Sequence, residues 1–204
     1  GCPAIAYYDS GSGNLKFAAY DNGMWSVETL GSDSGITDID LVVDANGIPH
    51  IVHMASSGSD DISYTTKNNG IWQEGTLGEG DLSSANEGIS LSIHNGDLVL
   101  VTSEDPSSGN SYYLYKYKCS SNCISESSWT GSNMGWGMYA AYRSIDSVGD
   151  HVIYMLDSST TTTSGLYYGP SNQVLISENA SDNFMSTSMD VAPDGTISIA
   201  HTNN

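Results

Sequence analysis

Short apolar stretches broken by Gly, Asn and Asp turns run the whole length of the chain, and no window keeps an apolar stripe at i, i+3, i+4 and i+7. The segments are therefore strands. One strand recurs after a glycine: Gly1-Cys2-Pro3-Ala4-Ile5-Ala6-Tyr7, Gly47-Ile48-Pro49-His50-Ile51-Val52-His53 and Gly96-Asp97-Leu98-Val99-Leu100-Val101-Thr102. It returns as Gly149-Asp150-His151-Val152-Ile153-Tyr154-Met155 and Gly195-Thr196-Ile197-Ser198-Ile199-Ala200-His201. The glycines lie 46, 49, 53 and 46 residues apart, and four residues past each stand Ile5, Ile51, Leu100, Ile153 and Ile199. Self-similarity at such a period marks a repeat architecture.

Each repeat reads as four strands. A first strand (Ile39 to Asp44) ends in a turn, with Asn46-Gly47 and Asn95-Gly96 as tight-hairpin signals because such turns need positive φ. The strand after the glycine comes second. Leu15 to Tyr20, Ile62 to Lys67, Tyr113 to Lys118 and Leu166 to Tyr168 are third strands. Asn22-Gly23-Met24-Trp25 and Asn69-Gly70-Ile71-Trp72 open the fourth, with Trp129 in a looser version. The second strand is apolar on both parities, Ile51 beside Val52 and Leu100 beside Val99 and Val101, so it lies between stacked sheets. Four strands per unit with the inner pair buried on both sides predicts an all-β propeller of about four blades built from ~46–53-residue repeats. The expected domain is single, 1–204: a partial blade 1–36, blades 37–83, 84–135 and 136–183, and a terminal strand pair 184–204.

The segments Pro3-Ala-Ile-Ala-Tyr-Tyr-Asp9, Gly13-Asn-Leu-Lys-Phe-Ala18, Gly23-Met-Trp25 and Asp44-Ala-Asn-Gly-Ile-Pro-His-Ile51 resemble the repeated unit of large bacterial and archaeal cell-surface proteins. There an Asp-x-x-Gly-x-Pro-His-Ile-x-Tyr-Tyr-Asp strand pair alternates with an apolar-Lys-Tyr-Ala strand and a Gly-x-Trp turn. The resemblance covers residues 1–77, fades over 84–180, and returns over 189–201 without the Pro-His pair. It implies sialidase-like propeller repeats at a cell surface and little about chemistry.

Counting strands leaves one too many for a self-contained four-bladed ring. If the strand 186–192 completes the N-terminal blade, the strand 196–202 competes with residues 3–9 for one place. Three readings fit: a fragment of a longer propeller, a ring carrying an extra strand outside, or a strand donated to the next molecule. Donation to an open sheet edge joins chains head to tail, and a contact that does not close builds a filament. Cys2, left over from the Cys119–Cys123 pair, is placed to lock such a joint as an intermolecular link.

Composition narrows the rest. Lys and Arg number 5 against 24 Asp and Glu, for a net charge of −19, so no basic patch exists for nucleic acid or anionic lipid. No apolar run of about 18 residues exists to insert in a membrane. Cys119 and Cys123 have the spacing of a small disulfide loop, and two thiols without a neighbouring His make a poor zinc site. Asn179 begins a glycosylation sequon, and Ser158 to Ser164 is a candidate for O-linked sugar, with an ordinary polar loop the alternative for each. Few Lys, many Ser, Thr, Gly and Asn, and the acidity together indicate an extracellular or cell-surface setting.

Sialidase chemistry is excluded, since it holds its substrate with three arginines and only Arg143 is present. Asp21-Asn22-Gly23-Met24-Trp25 also falls one residue short of the sialidase Asp-box and lacks its leading Ser. No Gly-x-Ser-x-Gly elbow marks a serine hydrolase. Glycoside hydrolysis needs only two carboxylates, but among so many acids no pair stands out, and Asp38/Asp40 and Asp60/Asp61 read as solvated loop charge. Calcium is a possible ligand of the Asp9-to-Asn14 loop, where turn chemistry explains the residues equally well. Glycan binding has five candidate residues. Trp25 and Trp72 offer ring faces but also suit packing between blades, each with a Leu five residues on. Tyr7, His53 and His201 stand six past their glycines, with Thr102 and Met155 in the same slot. The resulting expectation is a non-enzymatic structural or adhesive surface module, a filament subunit that self-associates into a homopolymer by strand exchange. A carbohydrate-binding propeller lectin is the alternative, and a glycoside hydrolase the third.

Overall fold

The computed structural model describes residues 2–33, 35–55, 62–77, 88–104, 113–134, 140–149, 151–158, 165–169, 174–178, 187–192 and 194–201. Within them the chain is all-β, in five antiparallel sheets that follow one another in sequence. The first sheet holds β1 (Ala4–Asp9), β2 (Asn14–Asp21) and β3 (Met24–Ser32). The second holds β4 (Ile36–Val43), β5 (Pro49–Ala55), β6 (Ile62–Asn68) and β7 (Ile71–Thr76). β8 (Ile89–His94), β9 (Asp97–Glu104), β10 (Tyr113–Cys119) and β11 (Thr130–Asn133) make the third. The fourth is β12 (Ala140–Val148), β13 (His151–Ser158), β14 (Gly165–Tyr168) and β15 (Val174–Glu178), and β16 (Thr187–Val191) pairs with β17 (Ile197–His201) in the fifth.

Every sheet is a meander, because each strand pairs with its sequence neighbour through a hairpin. Three hairpins turn on Asn-Gly with both φ values positive: Asn22-Gly23 (50° and 83°), Asn69-Gly70 (49° and 79°) and Asn95-Gly96 (52° and 87°). Asn46-Gly47 differs from the expectation. It belongs to a wider loop between the last paired residues Val43 and Pro49, in which Asp44 Oδ1 accepts the N–H groups of Asn46 and Ile48 at 2.9 and 2.8 Å.

The sheets stack in order, and adjacent residues of one strand serve two interfaces. Ile51 packs with Leu15 and Phe17 between the first and second sheets, while Val52 joins Leu91, Leu98 and Leu100 between the second and third, all seven being buried. Val99, Val101, Val152 and Tyr154 fill the third interface, and Ile153, Leu166 and Met189 the fourth. This corrects the alignment of the fourth repeat. Its hairpin closes directly between Val148 and His151, so Val152, not Ile153, faces the preceding sheet. A one-residue slip turns every side chain to the opposite face. Tyr154 therefore takes the slot assigned to Met155.

The strand count also resolves differently. β1 pairs with β2, and β17 pairs with β16, in separate sheets of one molecule. The two strands do not compete for one place, so the surplus that called for donation to a second molecule disappears.

Candidate functional site

Cross-strand register puts Trp25 and Trp72 at one position of their sheets, opposite Tyr20 and Lys67, and Trp129 stands one residue beyond the last β10–β11 pair, Lys118 and Thr130. Trp72 lies edge-on to Phe17 of the preceding sheet, with ring centres 5.2 Å apart, and donates its indole N–H to Glu28 at 3.0 Å. Lys67 bridges to the same Glu28 at 2.7 Å, lying 5.3 Å from the centre of the Trp72 ring. Trp129 lies edge-on to Tyr64 at 5.8 Å and donates to the Cys123 carbonyl at 2.9 Å. Phe17 and Tyr64 are themselves equivalent, facing Ala6 and Val52 across their sheets. Two indoles thus lock a sheet onto its predecessor. Trp25 differs: it is 49 % exposed, tilted against Tyr20 with centres 5.4 Å apart. Asp21, Asn22 and Ser26 lie on the same exposed hairpin, along with the exposed Met24 and Val27.

The polar slot of the second strand scatters. Tyr7 is half-buried opposite Lys16, and His201 is exposed near the end of β17. His53 is 2 % exposed, enclosed where the first two sheets meet. Its Nε2 faces Asp33 at 3.1 Å and Glu74 at 3.9 Å, while His53 Nδ1 and Thr65 Oγ1 on the same face are buried without a hydrogen-bond partner among the described residues. The five candidate ligand residues do not converge: Trp25 and Tyr7 share the first sheet at opposite ends, Trp72 and His53 the second in the same way, and His201 stands on the fifth.

Sequence reasoning missed the carboxylates of the innermost strands. Asp38 and Asp40 are not solvated loop charge. They lie half-buried on β4, where Asp38 Oδ2 accepts the Ile89 N–H at 2.9 Å and Asp40 Oδ2 the Leu91 N–H at 2.6 Å, both on β8. Ser90 Oγ accepts from Ser147 N at 2.9 Å, and Asp146 Oδ2 from Met189 N at 2.5 Å. A side chain at one slot (Asp40, Ser90, Asp146) thus staples each sheet to the backbone of the next. Burial pushes the Asp40 carboxyl up to about 6, opposed by its N–H bonds and reinforced by Asp146 and Asp38. Burial raises Asp38 and Asp146 as well. The signal was present in Ile39-Asp40-Leu41, Ile89-Ser90-Leu91 and Ile145-Asp146-Ser147, legible once the fourth repeat is shifted by one residue.

In the Asp9 loop considered for calcium, the carboxylate accepts from Gly11 N at 3.1 Å, Ser12 Oγ at 2.7 Å and Lys16 Nζ at 2.5 Å. Lys16 and Ser12 hold Asp9 down to about 2. Among the described residues no group of three His, Cys, Asp or Glu is disposed to hold a metal ion. Cys119 and Cys123 are joined in a disulfide, and Cys2 is an exposed free thiol. Asn179, Asp60, Asp61 and the run 159–164 lie outside the described residues. No helix among the described residues is long and apolar enough to cross a membrane.

No protein-family model and no curated protein matches the chain. Solved structures do. An endo-1,4-beta-xylanase from Bacteroides thetaiotaomicron is 12 % identical over 99 % of this chain and 76 % of its own, with a TM-score of 0.47. An exo-beta-1,3-galactanase from Phanerochaete chrysosporium, solved with beta-1,3-galactotriose, is 13 % identical over 97 % of this chain and 48 % of its own, at 0.49. A second exo-beta-1,3-galactanase, from Clostridium thermocellum, is 14 % identical over 100 % of this chain and 60 % of its own, at 0.43. These neighbours are glycoside hydrolases. The separate pairing of β1 and β17 within one molecule corrects the expected filament subunit joined by strand exchange.

Proposed function

We propose that the chain is a carbohydrate-binding domain whose sheets are blades of a β-propeller, and that a pyranose ring seats on Trp25 and Tyr20. The propeller reading is supported by the four-stranded meanders stacked in order and by first strands β4, β8, β12 and β16 lying side by side, stapled through Asp40, Ser90 and Asp146. The single observation behind the ligand is the contrast among three indoles. Trp72 and Trp129 are spent on packing, with both N–H groups bonded inside the protein, whereas Trp25 presents its ring to solvent beside a second ring. Sugar rings have apolar C–H faces that stack on such surfaces and hydroxyl edges that suit the Asp21 carboxylate and Asn22 amide alongside. Binding without catalysis fits the inner carboxylates, whose oxygens are occupied by backbone N–H groups. The disulfide fits an oxidising, extracellular setting.

A glycan array followed by calorimetry on the hits tests this. Trp25→Ala is expected to weaken binding at least about tenfold, near 1.4 kcal/mol, with the fold unchanged. An array without hits, or a hit bound equally well by the variant, sinks the proposal. So does an oligomer that dissociates on Trp25→Ala while no glycan binds, since the ring then serves protein contact.

A further inference from the structure

A cleft of about 610 Å³ opens between the second and third sheets, built from residues other than those around Trp25. The Asp44–Ile48 loop forms one wall and the disulfide loop, from Ser120 to Ile124, the other, over a floor of His50 and Tyr64. The second wall is pinned. A Cβ on Gly75 of β7 would fall 2.0 Å from the Ile124 carbonyl oxygen, so this loop rests directly on the strand. The Cys119–Cys123 bond and the Trp129 indole on the Cys123 carbonyl hold it there. Such a preformed concave site loses little freedom on binding.

Its chemistry is selective. Asp44 Oδ1 is filled by two backbone N–H groups, while among the described residues Oδ2 accepts from the Asn46 amide alone, at 3.3 Å. His50 Nε2 lies 3.9 Å from Oδ2, too far for a direct hydrogen bond. On the other side of the ring, His50 Nδ1 is 2.6 Å from the Tyr64 hydroxyl. With the Asp44 carboxylate facing Nε2, the tautomer that carries its hydrogen there is favoured, and Nδ1 then accepts from the Tyr64 hydroxyl. Burial lowers the His50 pKa, so the ring is neutral near pH 7. One acceptor and one donor therefore face the same gap. An ammonium group cannot accept from Nε2–H, and a carboxylate is repelled by Asp44. A hydroxyl does both, donating to Oδ2 and accepting from Nε2–H.

The fourth sheet supplies an internal control. His151 and Tyr168 repeat the stacked pair, with Nδ1 and the hydroxyl 2.5 Å apart. There the hairpin closes directly between Val148 and His151, too short for a counterpart of the Asp44–Ile48 loop. The ring pair alone is thus a packing device, and Asp44 with the disulfide wall makes the difference.

We infer that this cleft is a second binding site, for a neutral hydroxyl-bearing ligand of mono- or disaccharide size, read by Asp44 Oδ2 and His50 Nε2–H. It shares a ligand class with the Trp25 platform but does not depend on it. The test is an amide-resolved NMR titration with methyl β-D-xylopyranoside, methyl β-D-galactopyranoside and lactose, each to about 100 mM, a range suited to weak sites. Saturable shifts are expected at residues 44–48 and 120–124 in both wild type and Trp25→Ala. Asp44→Asn keeps an oxygen for the loop N–H groups but turns Oδ2 into a donor, and should weaken those shifts at least tenfold. Asn122→Gly, a rim change compatible with this residue's positive φ of 54°, should weaken them two- to fivefold. No saturable shift in the cleft, shifts equal in Asp44→Asn with its spectrum otherwise intact, or cleft shifts abolished by Trp25→Ala would each overturn the site. Cleft shifts that persist while the Trp25 indole stays still would instead count against the platform alone.

Discussion

Replacing Asp40 with Asn tests whether the inner staples are buried charge. In the wild type, Oδ2 accepts from Leu91 N at 2.6 Å and Oδ1 from Leu41 N at 2.7 Å, and Leu91 is only 3 % exposed. Burial, with Asp146 and Asp38 nearby, lifts the carboxyl from 3.8 to about 6 in the folded protein. A pKa raised by folding contributes stability that is fully present below the unfolded value and is lost as pH rises through the folded one. At roughly 1.4 kcal/mol per pH unit the loss is about 3 kcal/mol, nearer 2 after allowance for water reaching a half-buried group. Asn cannot titrate. It also turns an N–H₂ toward one of the two backbone donors, which costs about 1.5–3 kcal/mol at every pH. The variant should therefore be less stable than wild type near pH 3.5 and within about 1 kcal/mol of it at pH 7. Urea unfolding of both proteins across that range reads the difference, in which Asp38 and Asp146 largely cancel. A difference flat to about 0.5 kcal/mol, or one that moves against the variant as pH rises, would refute the buried-charge account.

Other outcomes follow from the same interfaces. Trp72→Ala removes the ring from Phe17 and takes one of Glu28's hydrogen-bond donors, leaving Lys67, and should cost about 2–4 kcal/mol in urea unfolding, against less than about 1 for the half-exposed Trp25→Ala. Gly75→Ala drives a methyl into the Ile124 carbonyl, and should cost about 1–3 kcal/mol while shifting the amides of residues 120–124. The paired Cys119→Ser, Cys123→Ser variant frees a short loop. It should lose about 2 kcal/mol, read by thermal unfolding, and should weaken saccharide shifts in the cleft more than those at Trp25.

The chain's own alternation determined its strands: Ile51 and Val52, adjacent and both apolar, required a sheet covered on two sides, and Asn-Gly pairs set where the meanders turn. These are local properties, carried by period and by backbone conformation, and a repeat displays them several times over. What the fold alone decided depends on register between segments far apart in sequence. Whether Asp40 meets water or the Leu91 N–H, whether Trp25 finds the aromatic ring that Trp72 and Trp129 find, and whether β17 joins β16 or displaces β1 are questions of which sheet lies against which. The shortened hairpin between Val148 and His151 shows the limit most directly. A glycine in the right place suggested one alignment, and a single residue of slip reversed the faces, concealing the recurring staple that only packed neighbours make visible. The cleft lies beyond sequence for the same reason, since its two walls come from loops on different sheets, brought together when Gly75 lets one strand accept the carbonyl of another sheet's loop.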